Sequence, residues 1–216
     1  MKQIVLMLFG ICLISYAYSQ VQMRGKEFYH YVFPDFTEGT VKKKSGEIVK
    51  TLLNYNTITE EMIFQQAGTF RAFDNAERID TVYIQNKKFV PAGMIFYEVA
   101  TCTPVALFIR HQTEIVSPGN NTGFGTTQTA AISNLNSLHR SGDAYQLKLP
   151  DDFKLTSRTE YLLKKNGNYN YINVKNFKQV ETVFSEKAAL IKDYVKTNKL
   201  SFNKSEDVIK LILYCN

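Results

Sequence analysis

The chain has 216 residues, a formal net charge of +6, 21% charged residues and 13% aromatic residues. With 44% hydrophobic residues it can bury a sizeable core, so we expect one domain with an appendage. The lysines are scattered and do not cluster with arginines and aromatic residues, which argues against nucleic acid as a partner.

Residues 1–19 have the pattern of a secretory signal peptide. Lys2 precedes an apolar run over residues 4–16, and small residues occupy positions 17 and 19, at −3 and −1 of a cleavage site. The apolar run is too short for a permanent membrane-spanning helix. We therefore expect an exported chain that begins at Gln20 and has no transmembrane segment in its mature part.

Residues 20–174 have the pattern of an antiparallel β-rich domain. Its first hairpin turns at Ser45-Gly46, because Gly accepts a positive φ at no steric cost. Further short β-prone segments follow, and their connections are too short for the crossover that parallel strands need. These segments span 47–56, 61–66, 69–73, 79–85, 94–99 and 105–110. The predicted fold is mainly β (α+β), an antiparallel meander that forms a small barrel or a sandwich.

The stretch 117–143 is long, polar and rich in Ser, Thr, Asn and Gly. Loops of this length are uncommon in compact domains, so a recognition loop and plain disorder are the two alternatives. Its glycines lack the Gly-Lys-Ser/Thr ending of a phosphate-binding loop, so we predict no nucleotide or other cofactor. Together with exposed aromatic residues of the sheet, this loop is the hypothetical contact surface. The candidate ligand-binding residues are Asn120, Asn121, Phe124, His139 and Asp143.

Two more strands are predicted after this loop, over residues 145–149 and 156–164. Asn166-Gly167 follows them and is the strongest hairpin dipeptide in the chain, because a type I′ turn needs positive φ at both central residues. The partner strand of that hairpin is expected over residues 168–174.

The apolar residues change their spacing in the tail, residues 175–216. They recur at intervals of three and four, which predicts two or three short helices. Ser185 and Asn203 are the predicted N-caps. Helices this short are unstable alone in water, so they need to pack on each other or on the sheet.

The titratable residues form no recognised catalytic or metal-binding motif. Cys102 and Cys215 could pair in an oxidising compartment or stay buried as inert thiols. The spacing of His30, His111 and His139 matches no zinc motif, so we predict no metal site. Cys102 and His111 fall on adjacent predicted strands and form a conceivable thiol–imidazole pair, but without a recognisable nucleophile context. We therefore predict no catalytic residues.

Four segments carry a resemblance to a known family: LNYNTITEEMIF (53–64), IDTVYIQ (79–85), YQLKLPDDF (145–153) and EDVIKLILYCN (206–216). With them the chain resembles an uncharacterised family of exported proteins from Bacteroidota-type bacteria. The resemblance covers most of the mature chain and consists of fold-like patterns rather than catalytic signatures. It implies a periplasmic or outer-surface location in a two-membrane cell, and it implies no activity or site residues.

The leading hypothesis is a non-enzymatic exported protein that has a binding or structural role in the cell envelope, with an envelope protein or glycan as partner. A hydrolase acting on envelope or dietary polymer is the first alternative. It would need a pocket where His111, Cys102 or a carboxylate meets a polar partner. The second alternative is a protein that associates with membrane surfaces through its basic helical tail.

Overall fold

The computed structural model describes residues 30–116, 120–122, 125–127, 154–165 and 170–216. The predicted signal peptide, the strand predicted at 145–149 and the Asn166-Gly167 turn lie outside these residues. The strands are β1 (Thr37–Lys43), β2 (Ile48–Asn56), β3 (Glu61–Gln66), β4 (Thr69–Ala72), β5 (Ile79–Ile84), β6 (Lys87–Ala92), β7 (Ile95–Val99), β8 (Val105–Val116), β9 (Asn120–Thr122), β10 (Gly125–Thr127), β11 (Lys154–Lys165) and β12 (Ile172–Val174). The helices are α1 (Phe177–Val183), α2 (Ala188–Thr197) and α3 (Ser205–Cys215), with 3-10 turns at Ala76–Arg78 and Ser185–Lys187.

Ten of the twelve described strands form one antiparallel sheet, in the order β12-β11-β8-β7-β6-β5-β1-β2-β3-β4. The meanders β1–β4 and β5–β8 meet where β1 pairs with β5, and β11 and β12 extend the second meander. The predicted mainly β fold and its antiparallel meander are therefore confirmed. The closed barrel is wrong, because β4 and β12 stand at opposite ends of the sheet, and helices rather than a closing strand cover its last part.

Strand β1 forms the junction of the two meanders and packs closely against both neighbours. The hairpin predicted at Ser45-Gly46 is present, and Gly46 has a φ of 90°. A Cβ atom on Gly39 would lie 2.6 Å from the carbonyl oxygen of Tyr83 and 2.7 Å from Cδ1 of Leu53. Gly39 therefore permits the close approach of β5 and β2 at the centre of the sheet.

The apolar residues form two cores on the same sheet face. The first, the sheet core, contains Phe33, Val41, Leu53, Tyr55, Met62, Ala76, Ile79, Val82, Ile84, Phe89 and Phe96. The second, the tail core, contains Val105, Leu107, Ile109, Tyr161, Leu163, Val174, Val180, Ile191, Val208, Leu211, Ile212 and Cys215. The helices thus pack on β8, β11 and β12, and burial of these side chains stabilises them.

The predicted tail is helical, with three α-helices, but its predicted N-caps are wrong. Asn176 caps α1, since its Oδ1 accepts the amide of Gln179 at 3.0 Å. Ser185 instead begins the 3-10 turn Ser185–Lys187, and α2 begins after Lys187 without a side-chain cap. Helix α3 begins at Ser205 without a side-chain cap. Within the described ranges, no helix combines the length and apolarity needed to cross a bilayer.

Candidate functional site

A groove of about 600 Å³ lies on the sheet face opposite the two cores, and we name it the outer groove. Residues that pair across antiparallel strands share a face. Val99 pairs with Phe108, and Ala106 pairs with Lys164, and all four line the groove. Leu107, between Ala106 and Phe108, and Leu163, next to Lys164, point the other way, into the tail core.

The floor of the outer groove is apolar and held in place by ring contacts. Phe108 is 9% exposed. The ring of Tyr171 stands edge-on to Phe108 and to Tyr97, with centroids 5.1 and 5.2 Å apart and both interplanar angles at 87°. Burial, together with the nearby Tyr97, raises the pKa of Tyr171, so its phenol stays protonated at neutral pH and can donate a hydrogen bond.

Three lysines give the outer groove its charge. They are Lys44 just after β1, Lys88 on β6 and Lys164 on β11. Lys164 Nζ lies 5.0 Å from the centroid of the Tyr171 ring, within the range of a cation–π contact. The carboxylate of Asp80, at one end of the groove, lies 3.5 Å from Lys42. Among the described residues none of the three lysines has an ion-pair partner, so the groove carries a positive potential.

One wall of the groove is the turn between β7 and β8. The Thr101 hydroxyl accepts the amide of Leu107 at 2.9 Å, and the Thr103 hydroxyl donates to the carbonyl of Val105 at 2.9 Å. Asn216 adds a clamp from the tail, because its Oδ1 accepts the Val105 amide at 2.8 Å. The turn is thus fixed by side chains at both of its ends.

A second charged group lies on the core face, between the two cores. Glu98 is 6% exposed, and its carboxylate oxygens lie 2.5 Å from Lys87 Nζ and 2.6 Å from His111 Nε2. Burial alone would raise the pKa of Glu98, but the hydrogen bonds from His111 and Lys87 lower it below its ordinary value. Glu98 forms an ion pair with Lys87 and a hydrogen bond with His111, and the group joins β6, β7 and β8.

A third charged group ties the β2–β3 turn to β8. Arg110 donates two hydrogen bonds to Glu60, from Nε to Oε2 at 2.6 Å and from Nη2 to Oε1 at 2.8 Å. Gln112 Nε2 donates to the same carboxylate at 2.8 Å. The bonds to Glu60 raise the pKa of Arg110. This bidentate pair holds Glu60, whose φ is 59°, in a left-handed backbone conformation.

Of the five ligand-binding residues predicted in the polar loop, the structure describes two. Asn120 and Asn121 lie on β9, which pairs with β10 in a short two-stranded sheet. The predicted loop therefore contains two short strands. Phe124, His139 and Asp143 lie outside the described residues. The loop as a contact surface stays a prediction.

The two cysteines lie in different environments and are both free in the structure. Cys102 is exposed on the turn at the outer groove, whereas Cys215 is 1% exposed in the tail core. Burial raises the pKa of Cys215 to about 11. The conceivable pair of Cys102 with His111 is not formed. His111 is bound to Glu98, and it lies six residues beyond the start of β8, roughly 20 Å along the strand.

Sequence reasoning missed the outer groove, although part of its signal was present. Lys87 and Lys88 are an adjacent basic pair in the sequence, and both belong to β6. Their side chains point to opposite faces, so Lys87 reaches Glu98 and Lys88 reaches the groove. The strand order that brings Lys164 to the same face follows from long-range pairing, which no local pattern contains.

A smaller cavity of about 420 Å³ lies between β11 and the segment before α3, with Tyr161, Phe202 and Asn203 in its lining. No group of three or more metal-ligating side chains occurs within the described part of the chain. Comparison with protein-family models, with curated proteins and with solved structures gave no match for this chain. The binding function is therefore argued from the geometry of the site.

Proposed function

We propose that the chain is an exported, non-enzymatic binding module of the cell envelope and that the outer groove is its ligand site. The observation that carries this proposal is the contrast between the groove and the other charged groups. The Glu98 and Arg110 groups satisfy their own charges, whereas Lys44, Lys88 and Lys164 have no ion-pair partner among the described residues. Cations left unpaired on a rigid apolar floor are suited to bind an anionic ligand.

The composition of the groove supports binding rather than chemistry. Among the described residues its lining contains no histidine, and its carboxylate, Asp80, is close to Lys42. Cys102 is the lining thiol, and His111 lies on the other sheet face with Glu98. A hydrolytic site needs a nucleophile with a positioned base, and the part of the groove that the structure describes holds no such pair. Ligand retention is the function that these side chains can perform.

The test is affinity capture from an envelope extract with the chain that begins at Gln20. The wild-type chain is compared with the double variant Lys88→Glu/Lys164→Glu, which reverses the charge of the groove. A matched control, Lys192→Glu/Lys196→Glu, makes the same charge change on exposed positions of α2. We expect a ligand that the wild type and the control retain and the groove variant loses. Equal retention by all three proteins, or no retention, would contradict the proposal.

The envelope location is proposed from residues 1–19 and from the family resemblance. It is tested by expressing the full chain in a two-membrane bacterium and measuring the mass of the protein from the periplasmic and membrane fractions. We expect a mature N-terminus at Gln20. A full-length protein in the cytosol would contradict export.

Association with a membrane surface through the tail is a second candidate, which the exposed side chains of α2 and α3 favour. Leu190, Leu213 and Tyr214 are 57%, 54% and 44% exposed, and Lys187 and Lys210 belong to the same segment. Apolar side chains near lysines suit an anionic bilayer surface. Co-sedimentation with phosphatidylglycerol vesicles tests it. Binding should fall when Leu190 and Leu213 are changed to Ser, and unchanged binding by that variant would exclude this surface.

A further inference from the structure

The three lysines of the outer groove together span more of the sheet than one small anion can bridge. Lys164 on β11 and Lys88 on β6 are separated by three inter-strand steps, or about 14 Å at roughly 4.8 Å per step. Lys44, next to the end of β1, lies two further steps along the sheet, about 10 Å more. A single carboxylate or phosphate spans only a few ångströms. One such group therefore cannot meet all three lysines, and a ligand that does so is extended.

The direction of the groove also restricts the class of ligand that it can bind. Its lysines follow one another across β11, β8, β7, β6, β5 and β1, so an extended ligand lies across the strands. Each of these strands has a neighbour on both sides in the sheet. A bound peptide would thus find no open strand edge with which to pair its main chain, which is the usual source of affinity for extended peptides.

The floor suits sugar rings. Val90, Val99 and Phe108 offer apolar surface between the lysines, and the Tyr171 ring is fixed against Phe108. A pyranose ring has an apolar C–H face that packs on such surfaces, whereas its carboxylate and hydroxyl groups extend from the ring edge. The lysines and the Tyr171 phenol are the donors that those edge groups need.

The geometry points to an acidic oligosaccharide, with carboxylates on successive sugars, as the ligand of the outer groove. Its chain runs across the strands from Lys164 through Lys88 to Lys44, with sugar rings against Val90, Val99 and Phe108. This inference rests on the proposed function, because it names the ligand class of the same site.

The test is calorimetric titration of the chain that begins at Gln20 with oligogalacturonates of one, three and six units. We expect the hexamer to bind at least about tenfold more tightly than the monomer, because only the hexamer reaches all three lysines. Its affinity should fall as salt is added, since exposed ion pairs are screened. Lys44→Gln, Lys88→Gln and Lys164→Gln should each weaken hexamer binding about three- to tenfold, whereas Lys196→Gln on α2 should leave it unchanged.

Three results would overturn the inference. Equal affinity for the monomer and the hexamer would exclude an extended ligand. Equal affinity for hexaglutamate and for the hexamer would exclude recognition of the sugar. No hexamer binding at low salt, with circular dichroism of a folded protein, would exclude the ligand class. In each case the affinity capture with wild type, groove variant and control still shows whether the groove binds a ligand. Failure of the ligand class is therefore distinguishable from failure of the proposed function.

Discussion

His111 and Glu98 pair across β8 and β7, with Nε2 and Oε2 2.6 Å apart at the boundary between the sheet core and the tail core. The second carboxylate oxygen of Glu98 binds Lys87 on β6. One nearly buried carboxylate thus joins three consecutive strands. The charge is desolvated, and the hydrogen bonds from both partners favour its ionised form.

The first prediction concerns Glu98→Gln, which leaves Lys87 and His111 without their carboxylate. We expect a loss of about 2–3 kcal/mol in the free energy of unfolding at pH 7, measured by urea denaturation. The lowered pKa of Glu98 determines how this contribution to the free energy of unfolding depends on pH. The stabilisation is present above the ordinary glutamate pKa of 4.5 and is lost as the pH falls through the lower pKa of the folded state.

The matched control for Glu98 is Glu114→Gln. Glu114 lies 3.4 Å from Arg158 in an exposed ion pair, so its loss should change the free energy of unfolding by less than about 0.5 kcal/mol. Equal effects of the two substitutions would show that burial of Glu98 is unimportant to the strength of its ion pairs.

The second prediction concerns acid sensitivity at His30, which is 3% exposed. Burial lowers its pKa from 6.5 to about 4. Between these values the unfolded chain binds a proton that the folded chain does not, so stability falls as the pH is lowered. The loss from this group between pH 7.5 and pH 5 should be roughly 2 kcal/mol. His30→Phe keeps a ring beside Tyr31 and should remove this part of the pH dependence. An unchanged slope in the variant would argue against a buried neutral His30.

The third prediction concerns the two thiols in the chain that begins at Gln20, which lacks Cys12. At pH 8, Cys102 should react quickly with Ellman's reagent because it is exposed. Cys215 should react only after denaturation, since it is buried and its pKa of about 11 leaves little thiolate. Cys102→Ser should therefore abolish the reaction of the native protein. No reaction in the native wild type, with two thiols appearing after reduction, would instead indicate a bond between Cys102 and Cys215.

The fourth prediction concerns Gly39→Ala at the junction of the meanders. The added Cβ would meet the Tyr83 carbonyl oxygen at 2.6 Å, and backbone cannot move aside as a side chain can. We expect a destabilisation of about 1–3 kcal/mol by thermal or urea unfolding. Glu38→Ala is the control, because Glu38 is exposed on the same strand. A neutral Gly39→Ala would mean that β1 and β5 separate easily at this position.

Local patterns were enough to predict much of the fold. The β1–β2 hairpin was read from Ser45-Gly46, and the helical tail from apolar residues at intervals of three and four. The pairing of β1 with β5 was not predictable in this way, because the β1–β4 meander separates the two strands in the sequence. The choice between a barrel and a sandwich stayed open in the sequence for a related reason. Sequence periodicity shows that a strand face is apolar, but not whether another strand or a helix covers it.

Local sequence patterns could not predict the outer groove for the same reason. Lys88 and Lys164 are 76 positions apart, and only the order β6-β7-β8-β11 places them on one surface. The polar loop was predicted to be a contact surface because its composition is unusual. The groove, in contrast, is made of ordinary lysines and valines, whose common surface is defined by strand register.

The clamp between Asn216 and Val105 joins positions 111 residues apart and has a consequence for the order of folding. During synthesis, the apolar side of β8 has no helical cover until α2 and α3 have followed it. A chain at that stage displays Leu107 and Ile109 to solvent and is prone to aggregation. Contacts between residues this far apart in the sequence raise the contact order, which slows folding. We expect the growing chain to depend on a holding chaperone until its last helix is available.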